Sequence, residues 1–125
     1  MSVLGELQPN KVFKYFEEIC SIPHGSRNLQ QISDYLVDFA KAHELKYRQD
    51  EDLNVIIWKD GSKGYEASEP VILQGHMDMV AVKEADCDKD MEKEGLDLEI
   101  NGDYISAKGT SLGGDDGIAV AYTLA

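Results

Sequence analysis

The feature that most constrains the fold is an apolar stretch at residues 71–80, VILQGHMDMV, which ends in a His-x-Asp pair. A short run of large and β-branched apolar residues is typical of a buried β-strand. Side chains alternate across a strand, so His76 and Asp78 would point to the same side of the sheet. The sequence therefore predicts a buried strand that carries an imidazole and a carboxylate at its C-terminal end.

Helix and strand patterns precede this stretch. Apolar residues recur at helical spacing from Pro9 to Cys20 and again from Asn28 to His43, which predicts two amphipathic helices. An extended piece is expected to begin at Tyr47. Residues 54–58 are rich in β-branched and aromatic side chains, so they predict a strand.

The second half of the chain adds a hairpin and a third helix. Alternating residues around Asn101-Gly102 predict that residues 96–100 pair with residues 104–107. A glycine-rich segment at residues 109–117 then leads into an apolar helix. Helices that precede and follow strands indicate an α/β fold, with a mixed, largely parallel sheet flanked by helices.

Charge and composition exclude several classes of protein. The chain has 24 acidic and 12 basic residues and a formal net charge of −12, whereas nucleic acids and anionic membranes bind basic surfaces. No stretch reaches the roughly 18 apolar residues of a membrane span, and residues 1–6 do not resemble a signal peptide. Cys20 and Cys87 form no paired motif, so free thiols are expected. These features predict a cytoplasmic protein with neither a nucleic-acid nor a membrane partner.

Two motifs supply candidate metal ligands. In the first, the Asp78 carboxylate could hold one ring nitrogen of His76 while the other nitrogen faces a metal. The second is the pair Asp115-Asp116, which a glycine-rich loop presents at the start of a helix. A strand end and such a loop can meet in one cleft at the carboxyl edge of a sheet. Nitrogen and oxygen ligands of this kind suit zinc, with manganese or cobalt as alternatives.

Each motif also has a structural interpretation. A histidine at a strand end is more often a hydrogen-bonded structural residue, and a Gly-Asp-Asp-Gly segment alone is most often a turn. A metal-free α/β binding module, in which His76 and Asp78 form a structural hydrogen bond, therefore stays open. His24, between Pro23 and Gly25, could approach the cleft from its loop, but it is interpreted as a surface histidine.

Taken together, the motifs resemble those of the M20-type dinuclear zinc peptidases, and within that group the aminoacyl-histidine dipeptidases, also called Xaa-His dipeptidases or peptidase D. The resemblance is carried by QGHMDMV at residues 74–80, KGTSLGGDDG at residues 108–117 and SIPHGS at residues 21–26. It runs along the whole chain.

The resemblance implies a role for each motif residue. It implies that His76 is a ligand of one zinc ion and that Asp115 is the carboxylate that bridges two zinc ions. Asp78 is implied as the catalytic group that orients His76 and helps to position the activated water. A cis peptide bond between Asp115 and Asp116 is also implied, with Asp116 pointing away from the metals.

The resemblance further implies residues that this chain does not contain. Members of the family carry, further along, an adjacent Glu-Glu pair that supplies the general base and a ligand, two more ligands, and a lid or dimerisation domain. The adjacent pair here, Glu17-Glu18, lies upstream on the polar face of the first helix, where solvent exposure is expected. We therefore expect residues 1–125 to be an N-terminal portion of the catalytic domain that is inactive by itself.

The function implied for the full-length protein is hydrolysis of small peptide substrates by a zinc-activated water. The implied substrates are dipeptides with a C-terminal histidine, including those with a β-alanyl N-terminal residue, and the implied assembly is a homodimer. A related tripeptidase or aminoacylase with the same zinc architecture is the alternative within enzymes.

Overall fold

The structure is a computed structural model that describes every residue from Met1 to Ala125. Helices and strands both occur, which confirms the α/β class, and none of the helices has the length and hydropathy that crossing a bilayer requires. The chain divides into two compact units, residues 1–32 with 74–125 and residues 33–73. The elements are α1 (Asn10–Cys20), α2 (Gln30–Ala42), β1 (Lys46–Gln49), β2 (Val55–Trp58), β3 (Leu98–Asn101), β4 (Tyr104–Ala107) and α3 (Gly114–Leu124).

The helix α1 forms where the apolar spacing predicts it. One face is buried and carries Val12, Phe16, Ile19 and Cys20. The helix ends at Cys20. The next residue, Ser21, caps it, and its hydroxyl donates a hydrogen bond of 2.6 Å to the Glu18 carbonyl oxygen.

Glu17 departs from the expected solvent-exposed role. Its carboxylate accepts hydrogen bonds from the Ser2 hydroxyl and from the backbone N–H groups of Val3 and Leu4. Leu4 is fully buried. Glu17 therefore holds the N-terminal segment against α1 instead of facing water only.

The helix α3 packs on α1 in the first unit. A Cβ on Gly117 would lie 3.4 Å from the Phe16 ring and 3.8 Å from Ile19, so this glycine allows the two helices to approach closely. Val120 and Ala121 are buried one turn further along. This contact anchors the helix whose start carries the acidic pair.

The second unit joins most of α2 to the hairpin of β1 and β2. The two strands pair antiparallel, with Lys46 opposite Trp58 and Gln49 opposite Val55. Ser33 on α2 is fully buried, and its hydroxyl donates a hydrogen bond of 2.7 Å to the Leu53 carbonyl oxygen. The predicted second helix and the strand at residues 54–58 are thus confirmed.

The hairpin of β3 and β4 is confirmed with a turn shifted by one residue. Asn101 pairs with Tyr104, so the two loop residues are Gly102 and Asp103 instead of Asn101 and Gly102. Only Gly102 has a positive φ, 61°, as in a type II′ turn with glycine at its first central position.

The predicted buried strand at residues 71–80 is wrong for this chain. Residues 71–78 belong to no strand, and Val71 and Ile72 are 82% and 87% exposed. A strand requires a hydrogen-bonding neighbour, and the strands here lie in two separate antiparallel pairs, so no largely parallel sheet is formed by these residues. The parallel pairing present is a single bridge between Gly25 and Met79.

Gly95 lies against the backbone at the end of α1. The Leu96 N–H donates to the Cys20 carbonyl oxygen at 2.8 Å, and a Cβ on Gly95 would lie 2.6 Å from the carbonyl carbon and 2.8 Å from the Cα of Ser21. Because backbone cannot move aside cheaply, we expect Gly95→Ala to lower the free energy of unfolding by about 1–3 kcal/mol in urea denaturation.

The control for this prediction is Gly114→Ala. A Cβ there meets nothing within 4 Å, so its effect should stay within about 0.5 kcal/mol. Equal losses in the two variants would contradict the close approach at Gly95.

Both cysteines are free thiols, as predicted, but Cys20 is buried and Cys87 is partly exposed. Burial, assisted by the charge of Glu17, raises the pKa of Cys20 from 9.0 to about 12. The reactive thiolate of Cys20 should therefore be about a thousandfold scarcer in the folded chain than in the unfolded chain at pH 8. We expect iodoacetamide to modify Cys87 and spare Cys20 until urea is added, as read by mass spectrometry.

The same shift gives a pH dependence of stability. The fold favours the protonated thiol of Cys20. The contribution of this thiol to the free energy of unfolding is therefore complete below pH 9 and is lost as the pH rises towards about 12. Equal modification rates of Cys20 with and without urea would contradict the raised pKa of Cys20, from which both the protection of the thiol and the pH dependence follow.

Candidate metal centre

His76 lies between two carboxylates. Its Nδ1 is 3.0 Å from Asp78 Oδ1, and its Nε2 is 3.0 Å from Asp115 Oδ1. Asp78 and His76 are two residues apart on a segment without regular secondary structure, whereas Asp115 reaches the ring from the start of α3. The structure therefore brings together the three residues that the sequence singled out.

Hydrogen bonding determines the charge states of this group. The contact with Asp115, followed by that with Asp78, raises the pKa of His76, although the side chain is 53% exposed. The Ser26 hydroxyl is the main cause of the lowered pKa of Asp78, and His76 adds to it. Asp78 is thus a carboxylate at neutral pH and can accept a hydrogen bond from a proton on His76 Nδ1.

The Nε2 atom of His76 and the carboxylate of Asp115 suit a shared metal ion. Two ligands on one tetrahedral zinc ion, each bound at about 2.0–2.2 Å, lie about 3.3–3.6 Å apart, so the observed 3.0 Å separation would have to widen by a few tenths of an ångström to admit the ion. No group of three or more His, Cys, Asp or Glu side chains in the chain could hold a metal ion. Residues 1–125 therefore supply two donors of such a site and not a complete one.

The acidic pair uses its two carboxylates differently. The Asp115 side chain is 94% exposed and faces the His76 ring, whereas Asp116 Oδ2 accepts the His76 backbone N–H at 3.3 Å. The peptide bond between the two aspartates is cis, as the resemblance implied. Asp115 is consequently open to a ligand, and Asp116 holds the backbone of His76.

The loop after α1 holds the backbone next to Asp78. The Met79 N–H donates to the His24 carbonyl oxygen, and the Ser26 N–H donates to the Met79 carbonyl oxygen, each at 3.0 Å. His24 is only 2% exposed, and its Nδ1 lies 2.6 Å from the Ile22 carbonyl oxygen. The prediction of a surface histidine is therefore wrong, and burial lowers the pKa of His24.

Ser26 is the site residue that sequence reasoning missed. Its hydroxyl donates a hydrogen bond of 2.6 Å to Asp78 Oδ2 across 52 residues of sequence. The signal that could have found it is its place in the SIPHGS motif, but no local spacing connects it with Asp78.

A second loop holds the segment that follows Asp78. The Ser111 hydroxyl donates to the Val80 carbonyl oxygen at 2.6 Å, and the Ser111 N–H donates to the Val82 carbonyl oxygen at 2.9 Å. The Val82 N–H in turn donates to the Ser111 hydroxyl at 3.1 Å. These bonds tie the glycine-rich loop that leads to Asp115 to the segment that carries Asp78.

Comparisons with known proteins agree with these motifs. The chain is 39% identical over its 125 residues to the cytosol non-specific dipeptidase of Escherichia coli (strain K12), of which it covers 26%. It also matches the crystal structure of aminoacylhistidine dipeptidase from Vibrio alginolyticus, with a TM-score of 0.93 and 37% identity, over 97% of this chain and 25% of that one. The predicted resemblance to aminoacyl-histidine dipeptidases is confirmed. The chain spans about a quarter of the length of both relatives, in agreement with the expected fragment, and no protein-family model matches it.

Gly113 is expected to be required for the placement of the two loops. It has a φ of 73°, and a Cβ there would lie 2.9 Å from the Met79 sulfur, whereas Gly102 has a φ of 61° with nothing within 4 Å. Alanine at either position has to adopt the left-handed backbone conformation, which is unfavourable for a residue with a Cβ. Only Gly113→Ala must also displace Met79, next to Asp78. We expect Gly113→Ala to lower the free energy of unfolding by about 1–2 kcal/mol more than Gly102→Ala does.

Urea denaturation measures this difference, and NMR of the His76 ring shows whether the site moves. Gly113→Ala should shift the ring signals, and Gly102→Ala should leave them in place. Equal losses of stability would show that Met79 yields without cost.

Proposed function

We propose that the full-length protein containing this chain is a metal-dependent dipeptidase that cleaves dipeptides, with a preference for a C-terminal histidine. The observation that carries the proposal is the placement of the His76 ring between Asp78 and Asp115, with one ring nitrogen on each carboxylate. The two relatives are named as dipeptidases, which supports the reaction class. The aminoacylhistidine name of one of them supports the substrate preference.

In this proposal His76 Nε2 and the Asp115 carboxylate would hold zinc, with manganese or cobalt as alternatives, and Asp115 would be the carboxylate shared with a second ion. Asp78 keeps the proton on His76 Nδ1, so that the Nε2 lone pair is directed at the ion. Zinc, when bound, supplies Lewis-acid activation of water and of the scissile carbonyl.

The general base comes, in this proposal, from outside residues 1–125. Peptide hydrolysis requires a group that takes a proton from water and delivers it to the leaving amine. Asp78 is engaged by Ser26 and His76, and Asp116 is engaged by the His76 backbone. Residues 1–125 alone should therefore be inactive, while the full-length protein supplies the base and the remaining ligands.

We also propose that the full-length protein acts in the cytosol as a homodimer on small peptides. The name of the Escherichia coli relative supports the location, and the resemblance of the motifs supports the assembly. The net charge of −12 gives no reason to expect a nucleic-acid or membrane partner. Light scattering of the full-length protein tests the dimer.

One observation favours a metal-free alternative. The 3.0 Å separation of His76 Nε2 and Asp115 Oδ1 is also an ordinary hydrogen-bond distance. The same three side chains could then serve as a structural network in an α/β binding module. Metal content distinguishes the two functions, because only the dipeptidase requires an ion at this pair.

His76→Ala in the full-length protein tests the assignment of the ligand. Loss of the imidazole removes one donor, so we expect zinc content to fall and kcat/KM for dipeptides to fall at least a hundredfold, which is about the upper end of the loss for groups that only support a ligand. Metal analysis and steady-state kinetics on an Xaa-His substrate measure both. His43→Ala is the matched control, because His43 is an exposed histidine on a helix end whose Nδ1 contacts the Phe39 carbonyl oxygen.

The unmodified protein should first be assayed on β-alanyl-histidine, other Xaa-His dipeptides, dipeptides without histidine, tripeptides and N-acyl amino acids. The highest kcat/KM on Xaa-His supports the proposed preference, whereas a preference for tripeptides or N-acyl amino acids replaces it with a tripeptidase or an aminoacylase.

Unchanged zinc content in His76→Ala would remove His76 from the metal site and favour the binding module.

A further inference from the structure

The Asp78 carboxylate is held through both of its oxygens. Oδ1 lies 3.0 Å from His76 Nδ1, and Oδ2 accepts the Ser26 hydroxyl at 2.6 Å. The torsion that turns a carboxylate is broad, so a carboxylate bound through one oxygen can rotate. A second bond on the other oxygen fixes its plane. Ser26 therefore determines the direction in which Asp78 presents Oδ1 to the imidazole.

Ser26 can do this because its own backbone is fixed. Its N–H donates to the Met79 carbonyl oxygen, and the Met79 N–H donates to the His24 carbonyl oxygen. A Cβ on Gly25 would lie 2.9 Å from the Cβ of Ala81, so the loop lies directly against the segment that follows Asp78. The hydroxyl is thus placed by the backbone hydrogen bonds that His24 and Ser26 make with Met79.

We propose that Ser26 is a positioning residue: its hydroxyl fixes the plane of the Asp78 carboxylate and, through Asp78, the orientation of the His76 ring. In the proposed dipeptidase, this orientation directs Nε2 at a metal ion and the reacting peptide, and that part of the proposal rests on the proposed function. The orientation itself rests on the hydrogen bonds among the three side chains, beside a contact of 3.1 Å between His76 Nδ1 and the Asp78 backbone carbonyl oxygen.

This role can be separated from a contribution to folding. Ser26→Ala removes the 2.6 Å bond of the hydroxyl to Asp78 and its longer contact, at 3.4 Å, with the Met79 carbonyl oxygen. It leaves the 3.0 Å bond from the Ser26 backbone N–H to the Met79 carbonyl oxygen, and the residue is exposed. Ser26→Thr keeps a hydroxyl at the same position. Ser21→Ala is the matched control, because the Ser21 hydroxyl in the same loop makes a bond of the same 2.6 Å length, to the Glu18 carbonyl oxygen.

The first measurement is steady-state kinetics of the full-length protein on an Xaa-His dipeptide. We expect Ser26→Ala to lower kcat by about 10–100-fold, the range found when a group that orients a metal ligand is removed, with KM changed less than about twofold. Ser26→Thr should recover most of kcat, and Ser21→Ala should match the unmodified protein. An unchanged kcat in Ser26→Ala, or a loss that Ser26→Thr does not recover, would overturn the proposal.

The second measurement does not depend on activity. Nitrogen NMR of the His76 ring in the metal-free protein, at one pH, reports how the ring is held. Ser26→Ala should shift and broaden the Nδ1 signal, Ser26→Thr should restore it, and Ser21→Ala should leave it unchanged. If the unmodified protein cleaves no dipeptide, the dipeptidase function fails, but this signal still decides the role of Ser26: an unchanged Nδ1 signal in Ser26→Ala overturns it.

Discussion

The candidate site depends on the two backbone hydrogen bonds that join Met79 to the loop after α1. Within the first unit, they attach a segment that lies in no strand to this loop, through the carbonyl oxygen of His24 and the N–H of Ser26. Without them, residues 74–80 would have no regular partner on that side, because no strand of the chain pairs with them. The bonds between Ser111 and the residues after Asp78 complete the attachment. An exposed imidazole can therefore keep a defined orientation on a segment that belongs to no sheet.

Electrostatics explains why this arrangement suits a cation. Asp78, Asp115 and Asp116 all contact His76, in a chain that already carries a net charge of −12. Carboxylates gathered in this way repel one another unless positive charge lies among them, and the raised pKa of His76 is the response available to the protein alone. A divalent ion would supply more charge than one imidazolium can. The same carboxylates that favour a protonated histidine would thus favour a metal ion at Nε2.

Local patterns could predict the elements that local interactions stabilise. The spacing of Phe16 and Ile19 marked the buried face of α1, and Asn101-Gly102 marked the hairpin to within one residue. The apolar run that includes Val71 could not be interpreted in this way, because a strand exists only where another strand supplies hydrogen bonds. His24 was misassigned for a related reason. Its neighbours Pro23 and Gly25 are turn residues, but the turn is covered by a segment more than fifty residues away in sequence.

The residues of the candidate site also differ in whether local sequence or tertiary contacts place them. His76 and Asp78 could be paired from sequence because residues two apart on a predicted strand point the same way. Their side chains do meet, even though no strand forms there. Asp115 required the glycine-rich motif and a family resemblance, since its distance from His76 is set by the packing of α3 on α1. Ser26 required the fold itself, because only the loop's attachment to Met79 places its hydroxyl on Asp78. Residue types thus indicate which groups can hold a metal ion, whereas the direction in which an imidazole points depends on a contact that sequence spacing does not encode.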